Sequence, residues 1–255
     1  MAVPKKKKPA APKARLQPQL FKVRGVPFKL IALPAGTYWM GSPETEKKRD
    51  RGEHRHRVTL TTPFLIGETP VTQALFKAVM GRNPSFFKDG EKPVEQVSWA
   101  AALEFCQTLS DRVGREFRLP TEAEWEYACR AGTRSAFHFG PSLDSRRANF
   151  DGGAPYGKGK KGPALEGTTV VRRYPANPWG LYDLHGNVWE WCHDFLGAYP
   201  RAPLTDPMGP GRGDERIVRG GSWGCSGDLC RCAARNSLTP WFERSTVGFR
   251  LAADL

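Results

Sequence analysis

The sequence predicts an α+β domain rich in loops, and three features of its composition support that prediction. Hydrophobic residues make up 39% of the 255 positions and aromatic residues 11%, enough to bury a large core, which excludes wholesale disorder. Glycine and proline number 27 and 22, so much of the chain should be irregular, and a helical bundle is excluded. Eight tryptophans supply aromatic packing that would hold such loops.

Residues 1–25 are interpreted as a flexible basic tail and residues 26–255 as one domain. Eight basic residues fall among the first 24 and no acidic residue precedes Glu44, so this segment carries most of the net charge of +13. Like charges repel one another, and the early prolines block a helix. The lysine run can neutralise nucleic-acid phosphates, but no aromatic residue is interleaved to stack on bases. We therefore expect a solvated arm and not a nucleic-acid site.

No segment of the sequence indicates a membrane or an export signal. The first 19 residues lack the apolar run of a secretory signal, and no stretch approaches the roughly 18 apolar residues that cross a bilayer. We expect a cytoplasmic protein that makes no membrane contact.

The domain is expected to open with a β-hairpin. Residues 28–42 read FKLIALPAGTYWMGS, which is a short apolar strand, a turn at Pro34 and Gly36, and a second strand that ends at Met40. Both strands would place apolar side chains on the core.

Three helices are predicted by capping residues that precede apolar positions at helical spacing. The first helix is expected to begin after Thr72 and end at Gly81, and the second to begin after Ser98 and end at Gly114. The third should begin after Thr121 and stop before Gly132. Glu124 stands in capping-box spacing to the start of the third helix. All three helices are amphipathic, so each should lay one face on a core. After about residue 133 the helical period disappears, which predicts loops and short strands for the second half.

Six cysteines are too few for a disulfide scaffold. Cys106, Cys129 and Cys192 stand singly inside apolar patterns, which predicts buried thiols that behave as small hydrophobic side chains. Cys225, Cys230 and Cys232 form a cluster near the end of the chain, and their chemistry depends on the motifs around them.

Seven sequence blocks, in order along nearly the whole chain except the tail, carry a family resemblance. They read PAGTYWMGS (34–42), PVTQALFKAVMG (70–81), PVEQVSWAAALEFCQTLS (93–110), FRLPTEAEWEYACRAGT (117–133), NPWGLYDLHGNVWEWC (177–192), RIVRGGSW (216–223) and VGFRLA (247–252). Together they are similar to the sulfatase-modifying-factor, or formylglycine-generating-enzyme, family. The resemblance implies a C-type-lectin-like fold with a small, twisted, mostly antiparallel sheet, flanking helices and long loops. The family includes copper-dependent oxidases, oxygenase modules, non-catalytic binders and the variable proteins of diversity-generating retroelements, so the fold alone leaves the function open.

The block GLYDLHGNVWEW resembles a calcium-binding loop of that family. The ligands that the resemblance implies are a side-chain oxygen of Asp183, the backbone carbonyls of Gly186 and Val188, and the carboxylate of Glu190. Calcium takes six to eight oxygen ligands, and two carboxylates flanking a glycine turn supply part of that set. The alternative is a loop held by tryptophan packing, with the glutamate in a salt bridge. A second calcium site of the family would need an aspartate where this chain has Pro163.

The segment GGSWGCSGDLC raises the question of copper chemistry. In the oxidases of the family, two cysteines with four residues between them follow GGS, bind Cu(I) and activate oxygen, and soft thiolates suit that ion. Cys225 and Cys230 match this spacing, with Ser222 at the serine position. The resemblance thus implies an oxidase that converts a substrate cysteine to formylglycine. Two departures are a link to RCAAR about three residues shorter than in the oxidases, and Leu229 in place of the usual tyrosine.

An ungapped alignment instead matches the non-catalytic members, in which GGSW is followed by freely varying residues and then CRxAxR. Under this alignment Cys230 is a core thiol at the start of a strand, on the same face as Cys232 and away from Arg231, while Cys225 lies on the outer face. Residues 224–246 then resemble the variable region of retroelement-diversified proteins.

Such a variable region forms an exposed binding face, where aromatic residues are typical hot spots. The expected binding residues are Cys225, Ser226, Asp228, Leu229, Asn236, Leu238, Trp241, Phe242 and Glu243. We expect Trp241 and Phe242 to be exposed. The favoured interpretation is a binding module for a protein or other macromolecular ligand. The alternatives are the copper-dependent oxidase and an ordinary surface loop without a ligand.

Overall fold

The computed structural model describes residues 16–255, and within that range the chain forms three sheets and three helices. The strands are β1 (Gln19–Val23), β2 (Val26–Leu33), β3 (Gly36–Met40), β4 (His56–Leu60), β5 (Phe64–Gly67), β6 (Trp189–Phe195), β7 (Leu204–Thr205), β8 (Arg216–Arg219), β9 (Arg235–Leu238), β10 (Val247–Gly248) and β11 (Ala252–Asp254). The helices are α1 (Gln73–Met80), α2 (Trp99–Val113) and α3 (Glu122–Arg130). The lysine run and the rest of the predicted tail up to residue 15 lie outside the described residues.

A hairpin of β1 and β2 opens the domain. Val23 pairs with Val26 across a two-residue turn in which Arg24 and Gly25 both have positive φ, 46° and 87°. A turn of that kind matches the twist of the flanking strands. The predicted boundary at residue 26 therefore falls inside the hairpin, because residues 19–23 form a strand and residues 24 and 25 its turn. The alternation of more and less exposed side chains along β1 was not recognised in the sequence, because basic residues lie within and beside this strand.

The hairpin predicted for residues 28–42 is wrong. Both edges of β2 are already paired, one with β1 and one with β5, so β3 cannot join it. The chain turns after β2 and β3 pairs with β4 in another sheet, where Tyr38 lies opposite Val58. Gly36 is needed at this turn, because a Cβ there would lie 2.4 Å from the hydroxyl oxygen of Tyr127.

The sheets are small and mostly antiparallel, as expected, but there are three of them in the described part of the chain. Their strand orders are β1-β2-β5-β11, β10-β6-β8-β9 and β3-β4-β7. Only the β10–β6 and β4–β7 pairs are parallel among the named strands. In the second sheet the register between β6 and β8 shifts between Trp191 and Phe195, and β8 then leads into the loops at the end of the chain.

The three predicted helices are confirmed, including their caps. The hydroxyl of Thr72 accepts a hydrogen bond from the backbone N–H of Leu75 at 3.2 Å, and Ser98 caps α2 in the same way. Thr121 and Glu124 form the predicted capping box.

None of the helices within residues 16–255 has the length and apolar character of a membrane-spanning segment.

Helix α3 does not lay a single face on the core, contrary to the prediction, because all nine of its residues are buried. Its acidic residues are instead paired with buried arginines. Glu122 receives hydrogen bonds from Arg219 at 3.0 Å and Arg235 at 2.7 Å, and Glu126 pairs with Arg219 and with Arg130. A buried charge is tolerated only when it is paired in this way. Helix α3 therefore combines these ion pairs with apolar residues that join a hydrophobic cluster between the second and third sheets.

Candidate functional site

Residues 220–230 leave β8 through a sharp bend. Gly220 and Gly221 both have positive φ, 96° and 76°. A Cβ at Gly221 would lie 2.6 Å from the sulfur of Cys230, so glycine lets the chain pass the buried thiol. The segment ends in a 3-10 turn over Gly227–Cys230. The prediction of a strand that begins at Cys230 is therefore wrong, since β9 begins only at Arg235.

The two cysteines of the GGS segment differ in exposure. Cys230 is fully buried, as the core interpretation requires, whereas Cys225 is half-buried with its sulfur 3.2 Å from the hydroxyl of Ser222. Burial raises the pKa of the Cys230 thiol well above its usual range, and the nearby Cys225 adds to the rise. Both cysteines belong to or pack against one small apolar cluster formed by Ala136, Phe137, Leu143, Ala148, Phe150 and Tyr156. Cys225 is thus neither a core thiol nor a residue on the outer face.

An ion-pair cluster anchors this segment from beneath. Arg231 is only 2% exposed and donates to Glu53 at 2.6 Å and to Glu46 at 2.7 Å. Its Nε also donates to the carbonyl of Asp228, and the Asp228 carboxylate pairs with Lys48 at 3.2 Å. Arg231 was expected to point away from the face shared by Cys230 and Cys232, and so out of the core. That prediction is wrong, because Arg231 is buried as well and its acidic partners balance its charge.

Residues 239–246 form a second loop whose backbone is held on both sides. The backbone N–H of Trp99, at the start of α2, donates to the carbonyl of Pro240 at 2.9 Å. The indole N–H of Trp223 donates to the carbonyl of Ser245 at 2.9 Å. This second bond joins the loop to the GGS segment, so the two halves of the predicted binding region are in contact. We call residues 224–246 the C-terminal face.

The side chains of the C-terminal face divide into exposed and packed groups. Trp241 is 74% exposed, and the other exposed side chains of the predicted set are Leu229, Asn236 and Glu243. Phe242 was expected to be exposed, but it is half-buried and packs with Leu238 against the main hydrophobic core. The remaining predicted residues are half-buried, namely Cys225, Ser226 and Asp228. The exposed surface is thus smaller than the sequence indicates.

The predicted calcium loop contains one acidic side chain that fits a cation well. Asp183 has a positive φ of 56°, and one carboxylate oxygen accepts a hydrogen bond from the backbone N–H of Arg172 at 2.8 Å. Burial raises the pKa of Asp183 to about 6, and the charge of Glu190 contributes to the rise. A cation beside this carboxylate would offset the cost of its burial. Gly186, at φ 82°, turns the loop back toward Asn149, where a Cβ would lie 2.1 Å from the Asn149 carbonyl oxygen.

Glu190 fits a calcium ion less well than Asp183 does. Its carboxylate is fully buried and faces the guanidinium of Arg250, with Nε at 2.5 Å and Nη2 at 2.6 Å. The indole N–H of Trp125 also donates to it, at 2.6 Å. Its negative charge is therefore already balanced. The salt-bridge alternative describes Glu190, while Asp183 and the carbonyls of Gly186 and Val188 remain the predicted calcium ligands.

Family membership follows from the comparison of the whole domain with known sequences. Residues 21–255 match the family described as the sulfatase-modifying factor enzyme 1-like domain. The chain belongs to this family. A formylglycine-generating enzyme from Mus musculus is 36% identical over 211 residues, which cover 79% of this chain and 54% of the relative. The one from Thermomonospora curvata is 31% identical over 290 residues, covering 88% of this chain and 93% of the relative.

The chain spans about half the length of the mouse and bovine relatives, at 54% and 50%. Two solved structures superimpose over nearly the whole domain. Treponema denticola variable protein 1 has a TM-score of 0.82 and 29% identity, covering 93% of this chain and 99% of its own. PvdO from Pseudomonas aeruginosa has a TM-score of 0.82 and 28% identity, covering 94% and 100%. These similarities confirm the α+β, C-type-lectin-like fold of this sulfatase-modifying-factor family domain.

Sequence reasoning missed the buried ion pairs that support the site. One signal was available, because the arginines of RIVR, CRCAAR and GFR lie inside otherwise apolar blocks. A charged residue in such a block is rarely fully buried without an acidic partner. The partners themselves, such as Glu53 for Arg231 and Glu190 for Arg250, are brought in by the fold from distant parts of the chain.

Proposed function

We propose that this chain binds a macromolecular ligand, a protein in the simplest case, through the exposed side chains of the C-terminal face. Trp241 carries the proposal: its side chain is 74% exposed, while the loop beneath it is tied to Trp99 and Trp223 by hydrogen bonds. An aromatic side chain on a fixed backbone loses little conformational freedom on binding, and tryptophan is enriched in binding hot spots.

The division of roles along this segment supports the proposal. The blocks GGSW, CRCAAR and GFRLA hold the buried groups, including Arg231 and Arg250 with their ion pairs. The residues between those blocks supply the exposed side chains. A rigid frame that carries replaceable surface residues is the arrangement expected of a diversified binding protein. The similarity to Treponema denticola variable protein 1 is consistent with that role.

The alternative function is a copper-dependent oxidase that makes formylglycine, as the names of the curated relatives suggest. It is favoured by Cys225 and Cys230, which pack with the same apolar cluster, and by the hydroxyl of Ser222 beside Cys225. It is disfavoured by the burial of Cys230, because a thiol that binds Cu(I) and meets oxygen and a substrate must be reachable and deprotonated. We therefore rank binding above oxidation.

Calcium is the cofactor that family membership implies, and we propose one ion at the loop of Asp183, Gly186 and Val188. Its role would be structural, because this loop leads directly into β6 at the centre of the second sheet. The raised pKa of Asp183 supports the proposal, since a bound cation would stabilise the ionised carboxylate.

A matched pair of exposed residues makes the binding proposal testable. Trp241 and Leu20 are each 74% exposed, and Leu20 lies on β1, outside the C-terminal face. Immobilised wild type, Trp241→Ala and Leu20→Ala would be exposed to extracts of the source organism, and each retained protein quantified. We expect a partner whose retention falls at least about tenfold with Trp241→Ala and is unchanged with Leu20→Ala. Retention that is equal for all three proteins would contradict the proposal.

The neighbouring genes offer a second, independent test. A reverse transcriptase gene beside a near-copy of the 3′ end of this coding region would support a diversified binding face. An adjacent sulfatase gene without such a copy would favour the oxidase.

A further inference from the structure

Three buried side chains from distant parts of the chain meet in the interior of the domain. Cys129 comes from the last turn of α3, His185 from the loop before β6, and Cys232 from the segment before β9. The sulfur atoms of Cys129 and Cys232 lie 3.5 Å apart, and the Cys129 sulfur lies 3.9 Å from Nε2 of His185. The three atoms all lie within 4.8 Å of one another, and no side chain of the three is exposed beyond 4%.

The orientation of the His185 ring is set by its other nitrogen. Nδ1 of His185 lies 2.7 Å from the carbonyl oxygen of Cys230, and because a carbonyl only accepts, Nδ1 carries the proton. Nε2 is therefore the acceptor nitrogen, and it now accepts from His138, whose Nδ1 donates at 2.9 Å and whose backbone N–H donates at 3.4 Å. The Cys129 thiol lies beside it. Histidines that bind metals in proteins nearly always donate their second ring nitrogen to a carbonyl or carboxylate in this way.

We propose that Cys129, Cys232 and His185 bind a zinc ion as two thiolates and a neutral imidazole. With Zn–S near 2.3 Å and Zn–N near 2.0 Å, a tetrahedral site separates two sulfurs by about 3.7 Å and a sulfur from a nitrogen by about 3.5 Å. The observed 3.5 Å between the sulfurs and 3.9 Å between Cys129 and His185 differ from these separations by only a few tenths of an ångström. The third pair, Cys232 and His185, lies within 4.8 Å and would move closer on zinc binding. Thiolate and imidazole ligands select zinc over the oxygen-preferring magnesium and calcium.

The charge balance of the cluster suits a buried ion. Zinc with two thiolates and a neutral imidazole carries no net charge, so its binding would add no unpaired charge to the interior. Burial raises the pKa of the Cys129 thiol well above its usual range and lowers the pKa of His185. Without a metal the thiol is therefore protonated and the imidazole neutral. Zinc would displace the thiol protons, so its affinity should rise with pH.

His138 lies between His185 and a surface cavity. This residue is half-buried and lines a cavity of about 300 Å³ together with Phe139, Arg147 and residues 175–178. The lone pair of His185 that His138 now occupies is the one that zinc would take. The His138 ring must then turn, and its backbone N–H, now 3.4 Å from Nε2 of His185, must move away. The fourth ligand would be the turned His138 ring or a water molecule from the cavity.

The experiment is a zinc titration of the full chain, stripped of metal and kept reduced, against a chromophoric competing chelator. We expect wild type to take up one equivalent of zinc, and Cys129→Ser and Cys232→Ser to bind at least about 100-fold more weakly. Cys106→Ser is the matched control, because Cys106 is equally buried but lies on α2 outside the cluster. It should bind as wild type does. If a serine variant fails to fold by circular dichroism, His185→Gln keeps both thiols and should still lose tight binding.

Cobalt substitution gives a readout that does not depend on stability. Co²⁺ bound by thiolates shows a sulfur-to-metal charge-transfer band, which we expect in wild type and in Cys225→Ser but not in Cys129→Ser. Three results would overturn the proposal: no zinc uptake by wild type, a band that disappears with Cys225→Ser and persists in Cys129→Ser, or a Cys129–Cys232 disulfide found by alkylation and mass analysis of the freshly purified protein.

Discussion

Arg250 and Glu190 form a fully buried ion pair, with Nε and Nη2 of the arginine 2.5 Å and 2.6 Å from the two carboxylate oxygens. The pair joins the loop after β10 to β6, and the same arginine donates to the carbonyls of Gly67 and Tyr182. It thereby connects the first sheet, the second sheet and the predicted calcium loop. A carboxylate that the sequence suggests as a metal ligand thus serves as the centre of a hydrogen-bond network.

The first prediction follows from this pair. Arg250→Met leaves Glu190 buried without its partner, so the free energy of unfolding should fall by about 3–5 kcal/mol. Lys29→Met is the control: the partly exposed Lys29 pairs with the buried Glu68, and Arg172 would still balance that carboxylate, so the loss should stay within about 1 kcal/mol. Urea unfolding of both variants measures the difference. If both variants lose the same free energy of unfolding, the buried Arg250–Glu190 pair contributes no more to stability than the Lys29–Glu68 pair.

The second prediction concerns calcium. A ligand that binds only the folded state raises the melting temperature by mass action, so wild type should melt higher in calcium than in chelator. Asp183→Asn should abolish that shift, because it removes the one carboxylate of the loop that forms no salt bridge with an arginine. Glu243→Gln, which alters an exposed acid on the C-terminal face, should keep it. Differential scanning fluorimetry is sufficient, and a wild type insensitive to calcium would exclude the site.

The third prediction is a pH dependence centred on Asp194. Burial raises the pKa of this carboxyl to about 7, and Glu122 adds to the rise, whereas the unfolded value is about 3.9. The folded state therefore holds this proton more tightly, and the resulting stabilisation, complete below about pH 4, is lost as pH rises through about 7. Asp194→Asn should remove this pH-dependent decrease in the free energy of unfolding, because the amide does not ionise. The stability of the variant relative to wild type should increase between pH 4 and 7, and a constant difference would contradict the assignment.

The fourth prediction separates the tail from β1. Deleting residues 1–15 should change the free energy of unfolding by less than about 1 kcal/mol, as expected for a solvated arm. Deleting residues 1–24 also removes Phe21, whose ring lies 5.2 Å from that of Phe28 and 5.3 Å from that of Phe117. That truncation should cost about 2 kcal/mol or more. Denaturation of the two truncated proteins distinguishes them, and equal stabilities would mean that β1 contributes nothing.

The fifth prediction separates binding from oxidation. If the C-terminal face is a binding surface, titration of the reduced protein with Cu(I) and a competing chelator should give the same capacity for wild type and Cys225→Ser. Cys129→Ser serves as the control, because the buried cluster of Cys129, Cys232 and His185 also offers thiolates. One equivalent lost in Cys225→Ser and kept in Cys129→Ser would favour the oxidase.

Local interactions explain what the sequence alone determined. The helices after Thr72, Ser98 and Thr121 were predictable because capping and apolar spacing act within a few residues. The family blocks and the burial of the single cysteines, such as Cys106, were predictable for the same reason, since each is read within one short segment. The C-terminal face was located from the blocks that flank it. The prediction that Phe242 is exposed was wrong, because this side chain packs against the core.

Only the tertiary structure decided which distant segments meet. The pairing of β2 with β1 and β5, the burial of the charged helix α3 and the contact of Arg231 with Glu53, 178 positions away, depend on partners that no local pattern specifies. The meeting of Cys129 with Cys232, 103 positions apart, is of the same kind. The spacing of apolar residues shows which face of an element is buried. Which distant residue it meets depends on the free energy of the whole fold, including the entropy cost of bringing separate segments together.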